Sequence, residues 1–273
     1  MAGANKQRDK KPTVRILRHL ARSGGTLISK CLGSMDGVVV LSEIHPAVLN
    51  VTDPMRQAVE WFGLVDKKQM SRWKMMNGPR FEQFVWVCWQ AAESRGDSLV
   101  LRDWSHLDYY GMPYLAKAGM GTGLRDALAG TFEIVEACTV LHPVDQYLSL
   151  STIAAIPVVD FDVFLDGNLA FAEYAVACQD GAGWMRYEDV TRDPDGKLRE
   201  LCGMLGIGFD AGYGERWASY ETITGDVQRG QSRGVREARI RPLERKVIDE
   251  GLLERFRADD RYQKVCALLG YEV

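Results

Sequence analysis

A chain of 273 residues, 46% hydrophobic and 26% charged, has an ordinary globular composition and enough length to bury a core without disulfides or structural metal. Its formal net charge of −3 argues against a broad nucleic-acid-binding surface. No run approaches the ~18 consecutive apolar residues of a membrane-spanning helix. Cys31, Cys88, Cys138, Cys178, Cys202 and Cys266 show no CxxC pair or Cys/His metal spacing, so reduced thiols in a metal-free cytoplasmic protein are expected.

Residues 1–11 carry Lys6, Arg8, Lys10 and Lys11 with no apolar stretch behind them and read as a solvated tail, leaving 12–273 as one domain. Thr13–Leu20 reads as a strand. It runs into a glycine pair and then a helix over Leu27–Met35, where Leu27, Ile28, Cys31, Leu32 and Met35 share one face. Val38–Leu41 is an unbroken apolar run, as in a strand covered on both faces of a parallel sheet. Ser98–Leu101 and Ala137–Leu141 are similar, and Trp184–Tyr187 is a shorter candidate. Helices are expected at about 53–63, 79–94, 143–154, 161–178 and 196–205, with two more in 243–269. The alternation predicts an α/β fold of three layers, a parallel central sheet flanked by helices. In such sheets ligands bind at the carboxyl ends of the strands.

The first of those ends carries Ala21-Arg22-Ser23-Gly24-Gly25-Thr26-Leu27. Glycines let a backbone turn tightly against an anion, and the following helix offers unpaired N–H groups and a positive dipole end. Arg22 adds a bidentate charge, and Ser23 and Thr26 add hydroxyls. The nucleotide-triphosphatase pattern GxxxxGK[ST] is absent, the nearest lysine being Lys30, a turn into the helix. A loop of this kind suits a donor with a single 5′-phosphate and no required metal.

Arg22-Ser23-Gly24-Gly25-Thr26-Leu27 resembles the 5′-phosphosulfate loop of sulfotransferases, [KR]-S-G-T-T-[WL], with Gly25 in place of a threonine. Leu141-His142-Pro143-Val144-Asp145-Gln146-Tyr147-Leu148-Ser149 is similar to the family's R-x-P-x-D-x-x-x-S segment, with Leu141 where the family has its arginine. Tyr187-Glu188-Asp189, Asp193-Pro194 and Leu198 to Gly206 resemble a later Y-E-D-L…D-P…L-G stretch. Thr224-Gly225-Asp226 through Arg233 resembles the loop that closes over the nucleotide.

The resemblance implies a phosphate-loop sulfotransferase fold and 3′-phosphoadenosine 5′-phosphosulfate as donor, with no metal. Arg22, Ser23, Gly24, Gly25, Thr26 and Leu27 would line the 5′ side. Asp145 and Ser149 would line the 3′ side, with His142, Arg229 or Arg233 supplying the charge missing at Leu141. The acceptor would be a hydroxyl (or amine) of a small molecule. Sulfuryl transfer needs a base and positive groups around the leaving oxygen. Glu43, after the second strand, is the first candidate base; His106 is the second and His45 the third, and Arg22 serves the leaving oxygen. Aromatics from Trp61 to Tyr114 are candidates for core and for an acceptor cavity. Asp193-Pro194 reads as a helix cap. No nucleic acid or membrane partner is expected, and a homodimer is compatible with the reading. Two alternatives stay open: a phosphate-loop phosphotransferase acting on small molecules, and a non-catalytic nucleotide-binding protein of the same fold.

Overall fold

The computed structural model describes residues 11–75, 78, 80–111, 114–152, 159–178, 183–225, 237–242 and 244–273. Strands β1 (Thr13–His19), β2 (Val38–Ile44), β3 (Ser98–Asp103), β4 (Glu133–Val140) and β5 (Trp184–Arg186) form one parallel sheet in the order β2-β3-β1-β4-β5. The central strand β1 sets Leu17 beside Arg102 on one side and beside Ala137 on the other.

Both faces are covered, which is why Val38–Leu41 of β2 and Leu99–Leu101 of β3 read as continuous apolar runs. Leu17, Val38, Val40 and Val100 pack on Ile28, Cys31 and Leu32 of helix α1 (Gly25–Gly33) and on Leu198, Leu201 and Leu205 of helix Pro194–Leu205. On the opposite face Ile16, Val39, Leu41, Leu99 and Leu101 meet Phe84, Val85 and Cys88 of helix Phe81–Glu93. A third cluster joins Val140 to Phe164 and Phe171 of helix Phe161–Ala177 and to the last two helices, Glu250–Arg257 and Asp260–Leu269. The three layers expected from the alternation are present.

Side chains alternate along a strand, so each core stripe continues two residues further on. On the α1 face Leu17 leads to His19, Val40 to Ser42 and Val100 to Arg102, and all three polar residues are buried. The opposite face ends in a salt-bridge cluster, with Arg18 to Asp103 at 2.7 Å and to Glu136 at 2.9 Å. The Tyr174 hydroxyl donates to Glu136 at 2.6 Å. Removing one member of such a buried set leaves an uncompensated charge and costs about 3–5 kcal/mol. The cluster therefore locks β1, β3 and β4 together directly beneath the polar row.

Several elements differ from the sequence reading. The C-terminal helices begin at Glu250, not 243, because Asp249 caps the first of them by accepting the Leu252 N–H. The stretch expected as a helix over 53–63 is a short α-turn, Pro54–Arg56, followed by a π-helical turn, Gln57–Trp61. Tyr187 leaves the strand and opens helix Tyr187–Arg192. Asp193 caps the next helix through the Gly196 N–H with Pro194 at its first turn, as its sequence indicates. Among the described residues no helix is long and apolar enough to cross a membrane, and no three His, Cys, Asp or Glu side chains cluster as metal ligands.

Candidate active site

The glycine loop lies between β1 and α1. Gly24 takes φ +88°, a left-handed conformation that opens the helix, and a Cβ there would enter the Tyr187 ring. A Cβ on Gly25 would enter the His19 ring, so the residue that departs from the sulfotransferase pattern is the one this local packing requires. Arg22 is also left-handed, at φ +64°. Among the described residues no hydrogen bond engages the N–H groups of Gly24, Gly25 and Thr26, which stand at the positive end of α1.

The loop's side chains divide between buried and more exposed positions. The Ser23 hydroxyl is buried and donates to the Leu20 carbonyl at 2.7 Å, closing the turn. Leu27 lies in the core. Thr26 Oγ1 stays at the surface of the loop and accepts from Arg102 at 3.3 Å. Arg22 Nε donates to Ser149 Oγ at 3.0 Å, which joins the two segments expected to hold opposite ends of the donor.

Helix Pro143–Leu150 carries the second segment. Leu141 is buried in the core beside α1, so the position of the family's arginine is filled by packing. His142 Nδ1 accepts the Val144 N–H as a cap, and burial together with nearby Arg245 lowers the ring's pKa to about 4. His142 is therefore neutral near pH 7 and supplies no charge. The positive group here is Arg245, from the C-terminal segment. Its Nε pairs with Asp145 Oδ2 at 2.6 Å, and its terminal nitrogen stands 3.1 Å from His142 Nδ1. Arg229 and Arg233 lie outside the described residues.

Glu43 sits where β2 loses register with β3 between Leu41 and Ile44. Its φ of +56° turns the backbone out of the strand, and Thr52 holds its carbonyl at 2.9 Å. Non-glycine residues in this region cost on the order of 1–3 kcal/mol and concentrate at functional sites. Its carboxylate lies 3.5 Å from Arg102 and against Gly225. His106 opens helix His106–Tyr110 edge-on to Trp104, ring centroids 5.3 Å apart. Burial, with help from Arg102 and His45, lowers its pKa to about 3. His45 is committed elsewhere: Nδ1 accepts the Ala47 N–H, and Nε2 reaches Asp108 at 3.2 Å.

Sequence reasoning passed over His19, Arg102 and Arg245. Arg102 and His19 had a signal, a polar residue in register at the end of an apolar strand. Arg245 had none, because a contact across 103 residues brings it in, and Thr224, part of the late loop singled out in the sequence, reaches Arg102 across 122.

The chain is an α/β fold, a parallel five-stranded sheet flanked by helices with a glycine loop between β1 and its helix, and solved sulfotransferase domains share this fold. Among solved structures, the sulfotransferase domain of the olefin synthase from Synechococcus PCC 7002 aligns with a TM-score of 0.65 at 18% identity, covering 98% of each chain. The sulfotransferase domain from the curacin biosynthetic pathway aligns at 0.63 with 16% identity, over 97% of this chain and 99% of that one. The likeness is one of fold: compared by sequence, the chain matches no family model and no curated protein.

Proposed function

We infer that the chain is a metal-independent sulfotransferase that moves a sulfuryl group from 3′-phosphoadenosine 5′-phosphosulfate to a hydroxyl of a small-molecule acceptor. The observation that carries this reading is the Arg22–Ser149 contact at 3.0 Å, which brings the glycine loop and helix Pro143–Leu150 to one place. The α1 N-terminus and the Arg22 guanidinium suit the 5′-phosphosulfate, and Ser149 with Arg245 suits the 3′-phosphate.

Glu43 is the general base. It stands beside the loop, and His106, with its pKa near 3, holds a proton too weakly for that role near neutrality. In the reaction the acceptor O–H gives its proton to the Glu43 carboxylate while its oxygen bonds to sulfur. The bond from sulfur to the bridging phosphate oxygen breaks, and adenosine 3′,5′-bisphosphate leaves with the electron pair. The loop N–H groups and Arg22 stabilise the charge that develops on that oxygen.

The test is calorimetric titration with adenosine 3′,5′-bisphosphate, adenosine 5′-monophosphate and magnesium–ATP. It is followed by release of the bisphosphate from the sulfated donor in the presence of a panel of alcohols. Tenfold or greater preference for the bisphosphate, about 1.4 kcal/mol, and turnover lost in Glu43→Gln support the reading. Equal or absent binding of all three nucleotides overturns it.

A further inference from the structure

The buried guanidinium between the glycine loop and the base is the largest piece of the site that the proposed chemistry leaves without a role. We propose that Arg102 is a positioning residue that ties Thr26 of the loop to Glu43, so that donor and base are aligned by one rigid group. This rests on Glu43 being the base.

Arg102 comes from the carboxyl end of β3, next to β1, and its side chain is 5% exposed. Nε donates to His19 Nε2 at 3.0 Å. One terminal nitrogen donates to Ser42 Oγ at 3.1 Å and to the Thr224 carbonyl at 3.0 Å. The other reaches Thr26 Oγ1 at 3.3 Å and Glu43 Oε1 at 3.5 Å. Thr26, in the first turn of α1, and Glu43, near the carboxyl end of β2, thus share one nitrogen of a planar fork.

The surroundings fix the fork's orientation. Burial and the Arg102 charge hold the His19 pKa well below its usual value, so its Nε2 keeps the lone pair that Arg102 needs. The Thr224 N–H donates to Ser42 Oγ and the two hydroxyls hydrogen-bond to each other at 2.8 Å, which anchors the carbonyl beside Arg102. A Cβ at Gly225 would stand 2.5 Å from the same oxygen, Oε1. That carboxylate oxygen therefore meets both a guanidinium and a bare backbone. A lysine at 102 keeps the charge but cannot reach His19, Ser42 and the Thr26–Glu43 pair together.

The experiment measures kcat, KM and bisphosphate Kd for Arg102→Lys, Glu43→Gln and the double variant, with the fastest alcohol of the panel as acceptor. Arg102→Lys is expected to lower kcat about 100-fold while Kd changes less than about threefold. In the Glu43→Gln background the same change is expected to cost less than about threefold more, since the group it positions is already gone. Fully multiplicative losses, or a Kd that weakens in step with kcat, overturn the proposal and leave the base assignment standing. An unchanged kcat in Glu43→Gln alone overturns the base assignment, and the positioning role with it. Should Arg102→Lys fail to fold, Ser42→Ala removes one anchor of the fork: a fall in kcat of about tenfold at constant Kd supports the proposal, and wild-type kcat overturns it.

Discussion

The Arg22 guanidinium donates through Nε to Ser149 Oγ at 3.0 Å across 127 residues of sequence, and among the described residues its two terminal nitrogens make no hydrogen bond. The contact aligns the end of β1 with helix Pro143–Leu150. Arg22→Ala and Ser149→Ala are each expected to weaken adenosine 3′,5′-bisphosphate binding by about tenfold. The double variant should lose less than the product of the two, because one contact is shared. Calorimetry of the three variants checks this, and fully additive free energies count against a shared site.

Placing the threonine of the sulfotransferase loop pattern at position 25 should harm the protein. The Gly25 Cβ position lies inside the His19 ring, and that ring is fixed by Arg102. Gly25→Thr is expected to cost about 2 kcal/mol or more, the scale of an overpacked site, and to lower Tm by several degrees. In combination with His19→Ala the loss should be less than additive. An unchanged Tm for Gly25→Thr would show that the loop and the β1 end are not packed in this way.

Acid should destabilise the fold before carboxylates titrate. His142 is neutral when folded, with a pKa lowered to about 4, but protonates near 6.5 when unfolded. Between those values the unfolded state binds more protons, so stability falls as pH falls, by about 1.4 kcal/mol per pH unit. His106, lowered to about 3, acts in the same direction over a wider window. His142→Asn keeps a capping acceptor and removes one titration, so its Tm should decline less than wild type between pH 6.5 and 4. Parallel declines would contradict the assignment.

Gly225→Ala places a methyl group 2.5 Å from Glu43 Oε1 at a backbone φ of +76°. Displacing the carboxylate by a fraction of an ångström is expected to reduce kcat by about tenfold or more with bisphosphate affinity nearly unchanged. Steady-state kinetics beside calorimetry would show the split.

His106→Asn separates the two candidate bases. With Glu43 as base, kcat should stay within about threefold of wild type. A loss comparable to that of Glu43→Gln would transfer the base role to His106.

Much of the fold was legible because parallel strands are covered on both faces. Val38–Leu41 and Leu99–Leu101 are apolar without interruption for that reason, and the core stripe of α1 recurs at helical spacing. The glycine pair was equally visible, although its meaning was only half so: Gly24 answers to backbone conformation, Gly25 to the ring of a residue on the preceding strand. Ser23 shows the opposite limit. Its hydroxyl was a candidate donor by type, and only the turn geometry shows that it is committed to Leu20.

The sequence by itself determined where the strands lie, the loop between β1 and α1, and the chemistry available there, because local patterns of burial and turning are written in neighbouring residues. Only the tertiary structure decided the pairings: Arg22 with Ser149, Arg102 with Glu43 and Thr26, Arg245 with Asp145. Those contacts join strand ends, helix starts and the C-terminal segment, and no local rule ranks one distant arginine above another. Sheet order and the crossing of chain segments over the carboxyl edge select among them.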